Sequence, residues 1–266
     1  MRTEEFIKAV RLKYIKDPIG VSGFAFWKIE DQLLKASTFQ LNKPEVGECL
    51  YAYINQKLVF YWAENDKPFV IPLRELREYK LLSLHNRFEE AVGGLKETHN
   101  INAYFPLKYD QGATRNARKN DNIHIVTLNM KNTNNLADVA NIINETTNRN
   151  FTSKSIEAWT ESRVYAPELW IGAIDKRTGD LVGVGISTYT PEVMETDLDW
   201  FYIREDYQGC GIGTMLVRET ISRCRKKSHI IRVAGVADEF YKKCGFIRQD
   251  KWYYLTQKAI KVGWWD

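Results

Sequence analysis

Histidine and cysteine are both scarce in this sequence, with four of each among 266 residues. No two of the cysteines, Cys49, Cys210, Cys224 and Cys244, stand in C-x-x-C spacing, so there is neither a zinc-ligand pattern nor a redox pair. No run approaches the roughly 18 apolar residues of a membrane span. The opening segment, MRTEEFIKAVRLKYIKD, is charged throughout and lacks the apolar core of a signal peptide. The formal net charge is only +4, too small an excess for a dedicated nucleic-acid binder. Together these absences give the expectation of a cytoplasmic protein with reduced thiols, no bound metal, no membrane association and no nucleic-acid partner.

Apolar residues are plentiful. They make up 44% of the chain, and aromatics 13%, enough to build real cores. The length fits one large domain or two ordinary ones. Thr3 to Lys16 reads as a helix with Ile7, Val10 and Tyr14 on one stripe, stopped by Asp17-Pro18. CLYAYI (49–54), KLVFYW (57–62) and PFVIPL (68–73) read as an antiparallel meander turning at Asn55-Gln56 and Glu64-Asn65-Asp66. LHNRFEEAV (84–92) reads as helix, ending near Gly93-Gly94. DQGATRNARKNDN (110–122) has no apolar periodicity and is read as a linker, the alternative being a loop inside one domain. The expected division is therefore 1–109, linker 110–122, and 123–266.

Beyond the linker the pattern becomes regular. IHIVTL (123–128) is strand-like, LADVANIINET (136–146) and SKSIEAWTES (153–162) helical, and ELWIGAID (168–175), DLVGVGIST (180–188) and TDLDWFYIR (196–204) strand-like. HIIRVAGV (229–236) follows as a strand, DEFYKKC (238–244) as a short helix and KWYYLTQK (251–258) as a last strand. Consecutive strands with few helices predict an α+β fold with a mixed sheet. His124 and His229 sit on apolar strands and read as structural.

Between a strand and a helix lies EDYQGCGIGTMLVRETI (205–221). No Lys follows Gly213, so it is not a Walker loop, and the glycine spacing does not fit G-x-G-x-x-G. What remains is a strand, then Q-x-x-G-x-G, then a helix whose apolar stripe is Leu216, Val217, Ile221 and Cys224. Backbone N–H groups at the positive end of a helix dipole suit a pyrophosphate.

LDWFYIREDYQGCGIG resembles motif A of the GNAT N-acetyltransferase superfamily, an apolar strand followed by [QR]-x-x-G-x-[GA] opening a helix. DEFYKKCGF resembles that superfamily's F-Y-x-x-x-G-F segment, and the element order from 123 to 258 is similar. The resemblance covers roughly the C-terminal half. It implies the GNAT fold, a mixed and mostly antiparallel sheet splayed at the coenzyme A site. It implies transfer of an acetyl group from acetyl-CoA to a primary amine by direct attack on the thioester, without a metal. Phe201 and Ile203 would give main-chain contacts to the pantetheine arm. Gln208, Gly209, Gly211 and Gly213 would wrap the pyrophosphate, with N–H groups from Cys210, Ile212 and Thr214. Direct transfer leaves Cys210 no need to act as nucleophile. Where many relatives carry Asn near the end of the next strand, this chain has Ala234. The alternative is a non-catalytic acyl-CoA-binding sensor or scaffold.

The amine must lose a proton before it attacks, and a carboxylate can take it. Period two along the strand predicts Glu195, Asp197, Asp199 and Phe201 on one face and Leu198, Trp200 and Tyr202 on the other. Asp197 falls where histone-acetylating relatives carry their base, with Asp199 and Glu195 as alternatives. A solvated acidic strand edge would explain all three without catalysis. Tyr241 matches the tyrosine that many relatives place beside the CoA sulfur as general acid. The first 109 residues have no second Q-x-x-G-x-G. They are left as a substrate-binding or dimerising domain or a degenerate acyltransferase half, with homodimerisation open.

Overall fold

A computed structural model describes residues 3–36, 38–42, 49–54, 57–64, 69–113, 120–234 and 238–258. The linker's 114–119, the turn at 55–56 and the end of HIIRVAGV at 235–236 lie outside the described residues. The chain runs α1 (Thr3–Lys16), α2 (Pro18–Val21), α3 (Phe26–Leu34), β1 (Thr38–Asn42), β2 (Cys49–Ile54), β3 (Lys57–Ala63), α4 (Leu73–Leu76), β4 (Leu81–His85), α5 (Glu89–Gly93) and β5 (His99–Tyr104). It continues with β6 (Leu107–Tyr109), β7 (Ile123–Thr127), α6 (Thr133–Thr147), α7 (Ser153–Trp159), β8 (Tyr165–Asp175), β9 (Leu181–Thr190) and β10 (Glu195–Ile203). It ends with α8 (Ile212–Cys224), β11 (Ile230–Val233), α9 (Asp238–Lys243), β12 (Phe246–Arg248) and β13 (Trp252–Gln257). No helix among the described residues is long and apolar enough to cross a membrane.

Two compact units result: Met1–Pro106 with Arg248–Asp266, and Leu107–Ile247. In the first, β1, β2 and β3 form the meander. A second small sheet has the order β4-β13-β5. Its core gathers Tyr51, Tyr61, Leu82, Leu84, Phe88 and Leu255. Of PFVIPL, Pro68 lies outside the described residues, and 69–73 form no strand. Pro72 caps α4, and Val70 donates its N–H to the Tyr61 hydroxyl (3.2 Å) instead of to a ladder. The segment read as one helix over 84–92 is split. Leu82 and Leu84 bury on β4, which pairs with β13 up to His85–Trp252, so only the rest is helical, a 3-10 turn over Asn86–Phe88 followed by α-helix from Glu89. KWYYLTQK is a strand, and it lies between β4 and β5.

The second unit carries a seven-stranded sheet, order β12-β6-β11-β10-β9-β8-β7. It is mixed: β10 and β11 are parallel, while β7–β8, β8–β9, β9–β10 and β6–β11 are antiparallel. This is the α+β layout the sequence suggests. One face carries α8, whose Val217, Ile221 and Cys224 pack with Leu198 and Ile231. On the other face Leu136, Val139, Ile143 and Ile156 of α6 and α7 pack with Trp170, Val184 and Ile186.

Candidate acyl-transfer site

β10 and β11 pair from Glu195–Ile230 to Leu198–Val233, and there the pairing stops. β10 runs on to Ile203 and, among the described residues, is paired there with β9 alone, through the pair Ile203–Gly183. The outer edge of Trp200–Ile203 therefore offers backbone groups to whatever enters beside it. Phe201 and Ile203 lie half-buried over glycines of β9. A Cβ on Gly185 would meet Phe201 Cε1 at 2.8 Å, and one on Gly183 would meet Ile203 Cδ1 at 2.6 Å.

A β-bulge sits between Leu198 and Trp200. It corrects the simple alternation expected along this strand. Leu198 and Phe201 pack together toward α8, while Trp200 and Tyr202 join the α6–α7 side. One extra residue in the strand resets which face each later side chain takes.

After β10 the chain makes a short helical turn, Glu205–Tyr207, and enters the glycine loop. Gln208 Nε2 donates to the Ile203 carbonyl at 3.1 Å, folding the loop back on the strand end. Gly209 and Gly211 have φ of +76° and +82°, and open space surrounds the position of a Cβ at each. Left-handed backbone there needs glycine. Gly211 is the N-cap of α8, and no side chain caps the helix. Its first-turn amides, those of Ile212, Gly213 and Thr214, therefore lack intrahelical acceptors. Gly213 is small for a different reason, since a Cβ there would come within 3.2 Å of Phe240 Cζ. Cys210 is exposed, and its carbonyl accepts from Asn120 Nδ2 at 3.5 Å.

Beside the loop lies a cavity of about 380 Å³ lined in part by Asn120, Asp175, Arg177, Tyr207 and Cys210. Asp175 ties this region together. It accepts from the Arg177 backbone (2.9 Å), the Arg177 guanidinium (2.9 Å) and the Tyr207 hydroxyl (3.0 Å). The hydrogen bonds from Arg177, then the one from Tyr207, hold its carboxyl down at about 2.

The acidic residues of β10 are not a solvated edge. Glu195 and Asp197 are 1% and 4% exposed, and Asp199 is half-buried at the bulge. Arg232 of β11, itself buried, pairs in register with Asp197 and lies 3.9 Å from Glu195 Oε2. Tyr241 is buried against Phe240 and Phe246, ring centroids 5.0 and 5.5 Å away. Burial pushes its phenol well above the usual range, with Cys244, Tyr202, Asp197 and Asp199 adding to the shift. Its hydroxyl is therefore held in the protonated form. Asp197, Asp199 and Tyr241 are thus brought into one electrostatic neighbourhood, although Tyr241 lies some forty residues from the strand in sequence. His124 and His229, expected to be structural on apolar strands, are exposed.

Sequence reasoning missed two features. Arg232 carries no motif, and only its register opposite Asp197 reveals it. On the α6–α7 side, Phe151, Trp159 and Trp200 form a half-buried aromatic cluster, with Trp159 and Trp200 stacked at 5.1 Å and 21°. The aromatic content of the segments holding Phe151, Trp159 and Trp200 was its one available signal.

Residues 136–246 match the model of the acetyltransferase (GNAT) family. A tandem GNAT protein from the clavulanic acid biosynthesis pathway superposes with a TM-score of 0.60 at 14% identity, over 98% of this chain and 97% of that one. A GCN5-related N-acetyltransferase from Sphaerobacter thermophilus gives 0.58 at 14% identity, over 68% of this chain and 61% of that one. A GCN5-related N-acetyltransferase from Kribbella flavida gives 0.56 at 11% identity, over 90% and 96%. At such identities the likeness is one of fold. No curated protein matches the sequence. The family model spans the parted strands, the glycine loop and the Tyr241 helix, and this chain carries over residues 136–246 a domain of the acetyltransferase (GNAT) family, with the GNAT fold.

Proposed function

We propose that the chain is an N-acetyltransferase that moves an acetyl group from acetyl-CoA to a primary amine. The observation that carries this reading is the parting of β10 from β11 after Leu198–Val233, next to a helix that opens on glycines at positive φ. The pyrophosphate of acetyl-CoA lies on the amides of Gly209 to Thr214, with Gln208 holding the loop closed. The pantetheine arm follows the free edge of β10 at Phe201 and Ile203. A backbone N–H on that edge faces the thioester oxygen as it gains charge.

In the reaction the amine nitrogen forms a bond to the thioester carbon, and the carbon–sulfur bond breaks. Before attack the ammonium gives a proton to a carboxylate, directly or through water. We assign this proton transfer to Asp197 or Asp199. Glu195 is engaged with Arg232 and has a supporting part. The departing thiolate takes the proton of the Tyr241 hydroxyl, and the second proton, which the nitrogen loses as it becomes an amide, restores that hydroxyl.

The test is a panel of primary amines incubated with acetyl-CoA, following release of free CoA, alongside thermal melts with CoA, NAD and ATP. Turnover of an amine, with CoA alone raising the melting temperature, supports the reading. Stabilisation by NAD or ATP but not by CoA overturns it.

A further inference from the structure

The side of the sheet away from α8 presents a second built surface. The turn between α6 and α7 is rigidly set. Asn148 ends α6 with φ of 54°, and the Asn144 side chain donates to the Phe151 carbonyl (2.8 Å) and accepts from its N–H (2.7 Å). This holds Phe151 edge-on to Trp159 (5.1 Å) and to Trp200 (5.6 Å). Trp200 is the first residue after the bulge, on the part of β10 that has left β11. The Arg149 guanidinium lies 5.8 Å from the Phe151 centroid and 5.5 Å from that of Trp200. Among the described residues no carboxylate pairs with it. Nearby, the Trp170 indole N–H is buried without an acceptor, its ring 6.5 Å from Trp159.

We propose that Arg149, Phe151, Trp159 and Trp200 form the acceptor subsite, and that it selects a primary amine with a flat apolar body ending in a carboxylate. The proposal rests on the acetyl-transfer reading above. With α8 and the glycine loop on one face of the parted strands, the amine reaches the thioester from the other face, where Trp200 stands. The ring faces give a flat body a large contact area at small entropic cost. An unpaired guanidinium over those rings rejects a cationic body and matches a carboxylate, which it can hold through two hydrogen bonds. Asp197 and Asp199 take the ammonium end. From Asp197 to Trp200 is about 10 Å along the strand, so amine and carboxylate belong at opposite ends of the substrate.

The test compares 4-(2-aminoethyl)benzoate, 2-phenylethylamine and phenylalanine on the full-length protein. Each is measured as kcat/KM with acetyl-CoA and, separately, as calorimetric affinity with CoA present. The distal carboxylate should give an advantage of about tenfold or more over the other two, the margin of one charge-assisted hydrogen bond. Arg149→Gln should bring the ratio of 4-(2-aminoethyl)benzoate to 2-phenylethylamine close to one, and Trp159→Ala should weaken both compounds. Persistence of the acetyl-CoA thermal shift in these variants shows that they are folded. A wild-type ratio near one, or a ratio that survives Arg149→Gln, overturns the proposal. If acetyl-CoA neither stabilises the protein nor turns over, the functional reading fails, and the calorimetric ratio still decides the subsite.

Discussion

At the scale of single residues, the site combines a phenol that keeps its proton with carboxylates withdrawn from solvent. Tyr241→Phe removes one hydroxyl and leaves the ring packed on Phe240 and Phe246. If Tyr241 protonates the leaving thiolate, kcat should fall by about 10²–10⁴, the range for general acid catalysis, with the CoA thermal shift unchanged. Asp197→Asn should lose most activity near neutral pH and recover as pH rises, because more amine is then already neutral. A pH–rate profile at saturating amine checks both. Arg232 belongs to a different account. It is fully buried beside Glu195, and removing one partner of such a pair leaves an uncompensated charge costing about 3–5 kcal/mol. Arg232→Met should therefore be strongly destabilising in urea melts. The double variant with Glu195→Gln should recover much of the loss, and equal stability of single and double variants would remove the pair from the explanation.

At the scale of elements, what the sequence revealed was local. The helix Thr3–Lys16 has the expected bounds, because a 3.6-residue stripe and the Asp17-Pro18 stop need no partner to be recognised. The glycine loop was equally legible, since spacing and chain direction are enough. What escaped depends on pairing. The bulge at Asp199 has no sequence mark, yet it puts Trp200 and Tyr202 on the face opposite Leu198, which simple alternation would have made their neighbour. β6, only Leu107–Tyr109, is a strand because β11 lies beside it. Asp175 shows how such elements are tied. Its carboxyl, ordinarily at 3.8, is held at about 2 by Arg177 and Tyr207. A depressed carboxyl stabilises the fold above its unfolded value and loses that contribution as pH falls through the folded value. Asp175→Asn should therefore melt below wild type at pH 6, and the two melting curves should converge as pH drops from about 4 to 2. A gap that stays constant with pH would mean that Asp175 acts through shape alone.

At the scale of the whole chain, each unit's sheet takes an inner strand from the far side of a chain crossing. β13, the last strand, lies in the middle of β4-β13-β5, and β6, which follows β5, lies between β12 and β11. Sequence periodicity showed that KWYYLTQK is a strand but not which strands flank it, because pairing across 170 residues leaves no local pattern. This bears on where the chain can be divided. A fragment of 121–266, cut as the sequence linker suggests, lacks β6 and carries Trp252, Tyr253, Tyr254 and Leu255 without β4 and β5, though all four are buried in the full chain. Freed of its neighbours, such a strand is an aggregation site. A fragment of 107–247 keeps all its strand partners except those at the Arg248 end. The expected outcome is that 107–247 is soluble, melts cooperatively and is stabilised by CoA, by about 2.7 kcal/mol at a hundredfold excess over its Kd, while 121–266 precipitates. Chain 1–247, without β13, should lose the protection of β4 and β5 amides in hydrogen exchange, because each then has one ladder fewer. If 121–266 proved the better-folded fragment, the division at Pro106 and Ile247 would not be the one the protein uses, and the linker at 110–122 would be the boundary.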